Sequence, residues 1–581
     1  METHIERIDN SREDFTPKKT LNINIGILGH IDSGKTSLAK ALSTIGSTAG
    51  FDKNPQSKER GITLDLGFSA FVIEIPESMQ TSDKKFLQIT LVDCPGHASL
   101  MKTVIGGASI IDYMILVIDA TKGIQAQTSE CIVLGELLMR KLCIVVNKID
   151  LIEAESDQER DEKIAKIRKN LDTVFSKTKF TSIKIVFVSA NPKSEDIDQN
   201  LDGLLNELLS DIELPDRGKK HNKDDFMFSV DHCFPIKGHG TVITGTVLRG
   251  MVENGDNIEI SSLMQSKKVK SMQMFRKPVD KALKGDRVGI CVAKLDPKDL
   301  ERGIVCAPGK SNHFTIALAK VARIRHFKSE IPSNTKYHIT IGHQTVLGSS
   351  IFFYNVPGEE SKLEEIKGEE EEEKFGFYGY ESESSKAEVE YVYNTIHKYS
   401  DKLPKKATKP GVPPKPDILP LQSHIYALMY FDVPIVCAPI NSIFIGSRLD
   451  AEIEKKECRL AFSGQILETY NDSNEDYKNN FKITKEKRKE GIIDKVNDKR
   501  NIIGRNLFNK ETPVTPFINM KIVIEETGEI GRITGAFGKS GKFKAKFDKD
   551  LENIEELKGK AIYMPFNKLL FGDTKKLMQT I

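Results

Sequence analysis

Residues 29–36 read GHIDSGKT: two glycines with four residues between them, then a lysine and a threonine. That spacing is a phosphate-binding loop, because Gly29 and Gly34 let the backbone fold its N–H groups around phosphate oxygens where a helix begins. The candidate nucleotide contacts are Gly29, His30, Ile31, Asp32, Ser33, Gly34, Lys35, Thr36 and Ser37. Lys35 can reach the β and γ phosphates, and the Thr36 hydroxyl can bind Mg²⁺.

Two further strings complete a nucleotide site. NKID, Asn147 to Asp150, follows an apolar run, and SAN occupies Ser189, Ala190 and Asn191. The Asp150 carboxylate can accept two hydrogen bonds from the N1–H and amino group of guanine, which adenine cannot offer, while Lys148 lays its stem along the base. GTP and GDP are therefore favoured over adenine nucleotides. DCPGH supplies Asp93 for a water-mediated Mg²⁺ contact, Gly96 for an N–H at the γ-phosphate, and His97.

These residues need a scaffold that presents several loops at one sheet edge. LNINIGIL, FLQITLVD, YMILVIDA, LCIVVNK and IKIVFVSA have the length and apolarity of buried parallel strands, and the stretches between them have helical spacing. Residues 21–217 are thus expected to form an α/β domain with a doubly wound sheet, including a long charged helix over Asp157–Lys177. The period then changes to two. FMFSVDHCF, TVITGTVLRG, NIEISSL, KVKSMQMF and RVGICVAK, separated by Gly-containing turns, predict a small β-barrel over 218–311. A second barrel is expected over 312–468, interrupted from about 357 to 422 by an acidic and then Pro-rich insertion whose composition predicts disorder. Residues 469–581 form an appended segment, with NEDYKNNFKITKEKRKEG read as helix and IIDKV, MKIVIEE and GRITGAF as strands. The first 20 residues read as a disordered tail.

Composition excludes other classes. With 85 Lys and Arg against 83 Asp and Glu, the charge of +2 does not mark a bulk nucleic-acid binder, so basic surface must be local. There is no apolar run long enough to span a bilayer, and the acidic N-terminus matches neither a secretory signal nor a transit peptide; a cytoplasmic, monomeric protein is expected. The 8 cysteines lack zinc-like spacing and read as reduced thiols filling the core.

RGIT at Arg60–Thr63, DCPGH and NKID together resemble the translational GTPases. The resemblance implies that Thr63 closes over Mg²⁺ beside Thr36 and Asp93, that His97 orients the attacking water in concert with Asp32 and Lys35, and that Ile31 and Ile62 form an apolar gate in front of His97. It also implies a GTPase domain followed by two β-barrels. Within that group, FDKNPQSKERGITLDLGFSAF, GSRLDAEIEKKECRLAFSG and NLFNKETP…TGEIGRITGAFGKSGKFKAKF resemble the eukaryotic selenocysteine-specific elongation factors. The implied activity is GTP-dependent delivery of selenocysteinyl-tRNA to the ribosome at recoded UGA codons, with ribosome-stimulated hydrolysis. The implied partners are that tRNA, the ribosome and a protein that binds an RNA element in the mRNA.

By the same resemblance, the aminoacyl pocket falls on the first barrel at Asp231, His232 and Arg287, with Arg287 standing where general carriers have an amide. A selenol is more acidic than a thiol, so a cationic pocket distinguishes selenocysteine from the neutral serine it is made from. Arg532, Lys539, Lys542, Lys544 and Lys546, interleaved with Phe537, Phe543 and Phe547, are candidates for RNA or partner contact. Three other readings stay open at this level: a general aminoacyl-tRNA carrier, an initiator-tRNA-binding platform of the initiation factor two gamma type, and a sulfate-activation GTPase subunit.

Overall fold

The computed structural model describes residues 5–8, 12, 15–46, 67–79, 84–95, 110–139, 141–192, 199–214, 222–236, 238, 240–274, 277–300, 302–355, 386, 388–390, 392, 396–406, 418–419, 424–450, 458–471, 475–538, 541–571 and 577–578. The chain divides into two units, one comprising Met1–Ser350, Glu365–Ser385 and Leu428–Asp472, the other Ile351–Glu364, Lys386–Ala427 and Ser473–Ile581.

The first unit opens with a seven-stranded sheet built from β1 (Thr20–Gly29), β2 (Ile45–Gly46), β3 (Gly67–Glu74), β4 (Phe86–Asp93), β5 (Tyr113–Asp119), β6 (Lys141–Asn147) and β7 (Ser182–Phe187). Its order is β2-β3-β4-β1-β5-β6-β7. The five strands expected from their apolar runs pair in parallel, with β1 central between β4 and β5. Their continuous hydrophobicity follows from burial on both faces. Leu28, Val92, Leu116 and Ile144 pack on one side, and Ile23, Ile25, Ile89, Ile115 and Val145 on the other. β2 and β3 extend the sheet antiparallel at one edge, with Gly67 opposite Asp93.

Helices Lys35–Leu42, Ala126–Leu138, Asp157–Phe175 and Leu201–Asp211 cover the sheet. The third is the charged helix expected from sequence. Ser156 caps it by accepting from the Glu159 N–H, and Asp157 and Glu159 complement the dipole of its first turn.

Strands Met227–Ile236, Gly240–Arg249, Asn257–Ile260, Gln265–Met274, Arg287–Val292 and Gly303–Cys306 form an antiparallel barrel, closed where Asn257–Ile260 pairs with Gln265–Met274. Closure removes the free edges. In the second barrel, His313–Arg323 and Ile443–Ser447 both flank Leu460–Tyr470. The architecture is that expected: an α/β phosphate-loop GTPase domain, two β-barrels and an appended, mostly β segment.

The second unit is built mainly on Lys482–Val496, which pairs antiparallel with Asn501–Arg505 and Ala561–Leu569. Ile493, Ile502, Ile522, Phe543, Phe547 and Met564 form its core.

Three expectations are corrected. The Lys-rich run read as helix is a short 3-10 turn at Glu475–Asn480 followed by the strand Lys482–Val496, because tertiary pairing on two sides overrides the helix propensity of Lys, Glu and Arg. The insertion read as disordered contains the strand Ile396–Ser400, which pairs in parallel with Lys482–Thr484 and buries His397; most of the insertion lies outside the described residues. The N-terminal tail is anchored, since Ile8 bridges to Val72 and Phe15 is buried against Phe86. Two apolar side chains anchor a segment whose overall composition suggested fraying. All 8 cysteines are free thiols, and Cys94, Cys131, Cys143, Cys291, Cys306 and Cys437 are buried, consistent with their reading as core filler. Among the described residues, no helix is long and apolar enough to cross a membrane.

Candidate functional site

β1 ends at Gly29, and the loop that follows turns directly into the helix beginning at Lys35. The loop requires its glycines. A Cβ on Gly29 would lie 2.3 Å from the Val117 carbonyl oxygen, and one on Gly34, which has φ +95°, would lie 2.1 Å from Asn147 Nδ2. The Lys35 ammonium folds back to donate to the His30 carbonyl at 2.7 Å, and burial pulls its pKa below the usual lysine range against the opposing pull of Asp93. Burial also lowers the pKa of His30, helped by the charges of Lys35 and Lys122. The Ser33 hydroxyl is buried without a hydrogen-bond partner among the described residues, and Thr36 Oγ1 donates to Asp93 Oδ2 at 2.6 Å. A glycine cradle, an unmatched hydroxyl and a Thr–Asp pair at a helix N-terminus fit a phosphate chain with its divalent cation.

The residues expected to read guanine come together from three loops. Asn147 donates from Nδ2 to the Ser33 carbonyl at 3.0 Å and accepts the Ala190 N–H on Oδ1 at 3.0 Å, so one side chain ties phosphate loop, NKID and SAN together. Lys148, in the left-handed region at φ 64°, donates to the Asp32 carbonyl at 2.5 Å and to Asp119 at 2.9 Å. Ser189 donates to Asp150 at 2.5 Å. Asp119 was not singled out in the sequence, although an acid ends the apolar run YMILVID. Burial pushes its carboxyl up, but hydrogen bonds from Thr121 and Lys148 outweigh it and hold the pKa below the ordinary value. Ile31 and Asn191 lie in the same loops, and Ser37 lies in the first turn of the helix. Ile62, Thr63, Gly96 and His97 lie outside the described residues.

In the first barrel, Asp231, His232 and Arg287 do converge. Arg287 Nη1 donates to Asp231 Oδ2 at 2.5 Å, His232 Nδ1 lies 3.1 Å from Asp231 Oδ1, and Thr244 donates to the same oxygen at 2.9 Å. Burial raises the Asp231 carboxyl, yet the charge of Arg287 and the hydrogen bonds from His232 and Arg287 bring it below its ordinary value. Side-chain exposure is 6% for Arg287 and 9% for Asp231 but 31% for His232, so the imidazole is the open face of the cluster. The residue that covers Arg287, Phe68, escaped the sequence reading because nothing local links β3 to a barrel strand.

In the second unit, Arg532 faces Lys546 across a strand pair, and Lys544 and Lys546 are exposed on one face. Lys542 is engaged by Asp494 at 2.7 Å, and Lys539 lies outside the described residues. Phe543 and Phe547 point into the core and are not available for stacking; Phe537 is exposed, with Lys544 5.7 Å from its ring.

The chain matches four family models: the elongation factor Tu GTP binding domain over residues 20–214, elongation factor Tu domain 2 over 240–307, the third domain of eukaryotic selenocysteine-specific elongation factors over 318–464, and the eEFSec C-terminal RIFT domain over 479–564. It is 44% identical over 538 residues to a mouse protein named selenocysteine-specific elongation factor, covering 90% of this chain and 88% of that one. A Methanocaldococcus jannaschii protein of the same name is 37% identical, over 60% of this chain and 70% of its own. In three dimensions the chain resembles the crystal structure of translation elongation factor SelB from Methanococcus maripaludis in complex with the GTP analogue GPPNHP, with TM-score 0.65, 25% identity, and 95% and 100% of the two chains covered.

Proposed function

We propose a division of labour among the domains from one premise: the chain belongs to the selenocysteine-specific elongation factors. It is a translational GTPase that works in selenocysteine incorporation. The α/β domain binds GTP through Gly29–Ser37 and reads guanine through Asn147, Lys148 and Asp150, with Ser189, Ala190 and Asn191 supporting the base loop. Thr36, Thr63 and Asp93 are the residues that would hold Mg²⁺, which when bound neutralises charge on the phosphate oxygens. His97 positions the attacking water, Lys35 and the loop around Asp32 stabilise charge on the phosphates, and Ile31 and Ile62 keep His97 back until the ribosome acts.

The first barrel carries selenocysteinyl-tRNA by its amino acid. The observation that carries this reading is Arg287, a guanidinium buried beside Asp231 with His232 open to solvent. A buried Arg with one carboxylate partner has donors left for a second anion, and a selenolate supplies one where a seryl hydroxyl does not. Arg532, Lys544 and Lys546 offer phosphate contacts for the long-armed tRNA, for ribosomal RNA, or beside a protein that binds the mRNA element. We place the factor in the cytoplasm as a monomer. The test is Arg287→Ala, measured as protection of the aminoacyl ester from hydrolysis: the preference for selenocysteinyl over seryl ester should fall at least tenfold, and equal losses for both esters would overturn the anion pocket.

A further inference from the structure

The guanidinium of Arg287 is held from two sides that belong to different domains. Asp231 binds it from within the barrel, while Phe68, the second residue of β3 in the GTPase sheet, lays its ring 3.3 Å from the guanidinium carbon. The same ring meets His232 edge-on at 6.5 Å. Phe68 is fully buried. Contact this close between a desolvated cation and an aromatic face is attractive, and it shields that face of the guanidinium from an incoming anion.

Phe68 is also coupled to the nucleotide site through the sheet. β3 and β4 pair so that Phe68 lies opposite Val92 and Gly67 opposite Asp93, whose carboxylate accepts the Thr36 hydroxyl. The residue that carries the ring over Arg287 is thus the immediate neighbour of the strand position opposite Asp93. On the barrel side, the turn before Arg287 is fixed to β1, since Asn22 and Asn24 donate to the Gly285 carbonyl at 2.9 and 3.1 Å. The barrel turn is therefore tied to central β1 while Phe68 rides on β3, two strands away, and displacement of β3 moves the ring relative to the guanidinium.

We propose that Phe68 is the gate of the selenocysteine pocket: resting on Arg287 it closes the cation, and a shift of the start of β3, set by the nucleotide bound next to Asp93, uncovers it. This rests on the pocket reading given above and deepens it by naming the residue that makes access to the cation depend on nucleotide state. A gate of this kind shifts binding only through its different contact in the two states.

The experiment measures affinities of selenocysteinyl-tRNA and of seryl-tRNA on the same tRNA, each with GDP and with a non-hydrolysable GTP analogue, for the full chain and for Phe68→Leu, with Phe68→Met as a second variant should the first fail to fold. The expected result is a selective rise in affinity for selenocysteinyl-tRNA in the GDP form. Its GTP-to-GDP affinity ratio should fall about tenfold, the order of a desolvated cation–π contact, while the seryl ratio stays constant. A structural loosening would move both tRNAs alike, so equal changes, or no change, overturn the gate. Arg287→Ala, run in parallel, separates the two ideas: if it abolishes the selenocysteine preference while the Phe68 variants leave the ratio intact, the gate alone falls. If Arg287→Ala retains the preference, the pocket falls and the gate with it.

Discussion

Arg459 grips Glu130 with two charge-assisted hydrogen bonds, Nε to Oε1 at 2.9 Å and Nη2 to Oε2 at 2.8 Å, with both side chains less than a tenth exposed. Glu130 lies on the GTPase helix Ala126–Leu138, and Arg459 immediately precedes a strand of the second barrel. The pair joins the two domains at a point that neither domain's sequence marks. Removing one partner leaves a buried charge, which typically costs about 3–5 kcal/mol, whereas replacing both with apolar residues is near neutral. Arg459→Ala should thus lower the first calorimetric transition by several degrees, and the double variant Glu130→Leu with Arg459→Met should largely recover it. Calorimetry is the suitable probe, since the chain has no tryptophan. Equal melting of the single variant and the parent would show that the pair carries no stability.

Gly34 offers a sharper probe of the phosphate loop. An alanine there must both adopt φ near +95° and displace the Asn147 amide, which lies 2.1 Å from the added carbon. The combined strain is on the order of 2 kcal/mol or more, or roughly a 30-fold loss of guanine-nucleotide affinity, with the first barrel intact. Titration with a fluorescent GDP analogue checks this, and unchanged affinity would contradict the geometry of the loop.

His97→Ala should leave GTP binding at the parent level and cut ribosome-stimulated hydrolysis by about 10²–10⁴-fold, the usual share of a positioned acid or base. Single-turnover phosphate release on programmed ribosomes reads it directly. Unchanged stimulated turnover would remove His97 from the mechanism.

In the second unit, His397 is fully buried between the rings of Phe353 and Tyr426, at 5.3 and 5.4 Å, and burial holds its pKa down to about 4 from the ordinary 6.5. The unfolded chain therefore binds a proton that the folded chain refuses between those values. Stability conferred by the neutral form is intact above pH 6.5 and is lost as pH falls towards 4, by roughly 3 kcal/mol in all. His397→Phe should flatten that acid limb in melts followed across the window; an unchanged limb would assign the loss to other groups.

How far the sequence could be read follows from how local each signal is. Gly29–Thr36, Asn147–Asp150 and the five parallel strands are contiguous runs whose chemistry is set by neighbours in the chain, so they were legible. The strand Lys482–Val496 was not, because its helix-favouring side chains yield to pairing with residues about 70 to 85 positions away. Ile396–Ser400 was hidden by the charged and Pro-rich residues on either side, although Ile396 and His397 have partners waiting at Lys482 and Ile483. The Phe68–Arg287 stack lies beyond any local pattern: a phenylalanine in an apolar strand reads as core, and it is core, yet one face of it meets a cation more than 200 residues downstream.

The most direct measurement of the central claim is protection of the aminoacyl ester by the full chain with a non-hydrolysable GTP analogue, compared for selenocysteinyl-tRNA, seryl-tRNA on the same tRNA, and an ordinary aminoacyl-tRNA. Selective protection of the selenocysteinyl ester is the result expected of a dedicated carrier whose discrimination resides at Arg287 and His232. Comparable protection of all three, or protection of the ordinary ester alone, would contradict it.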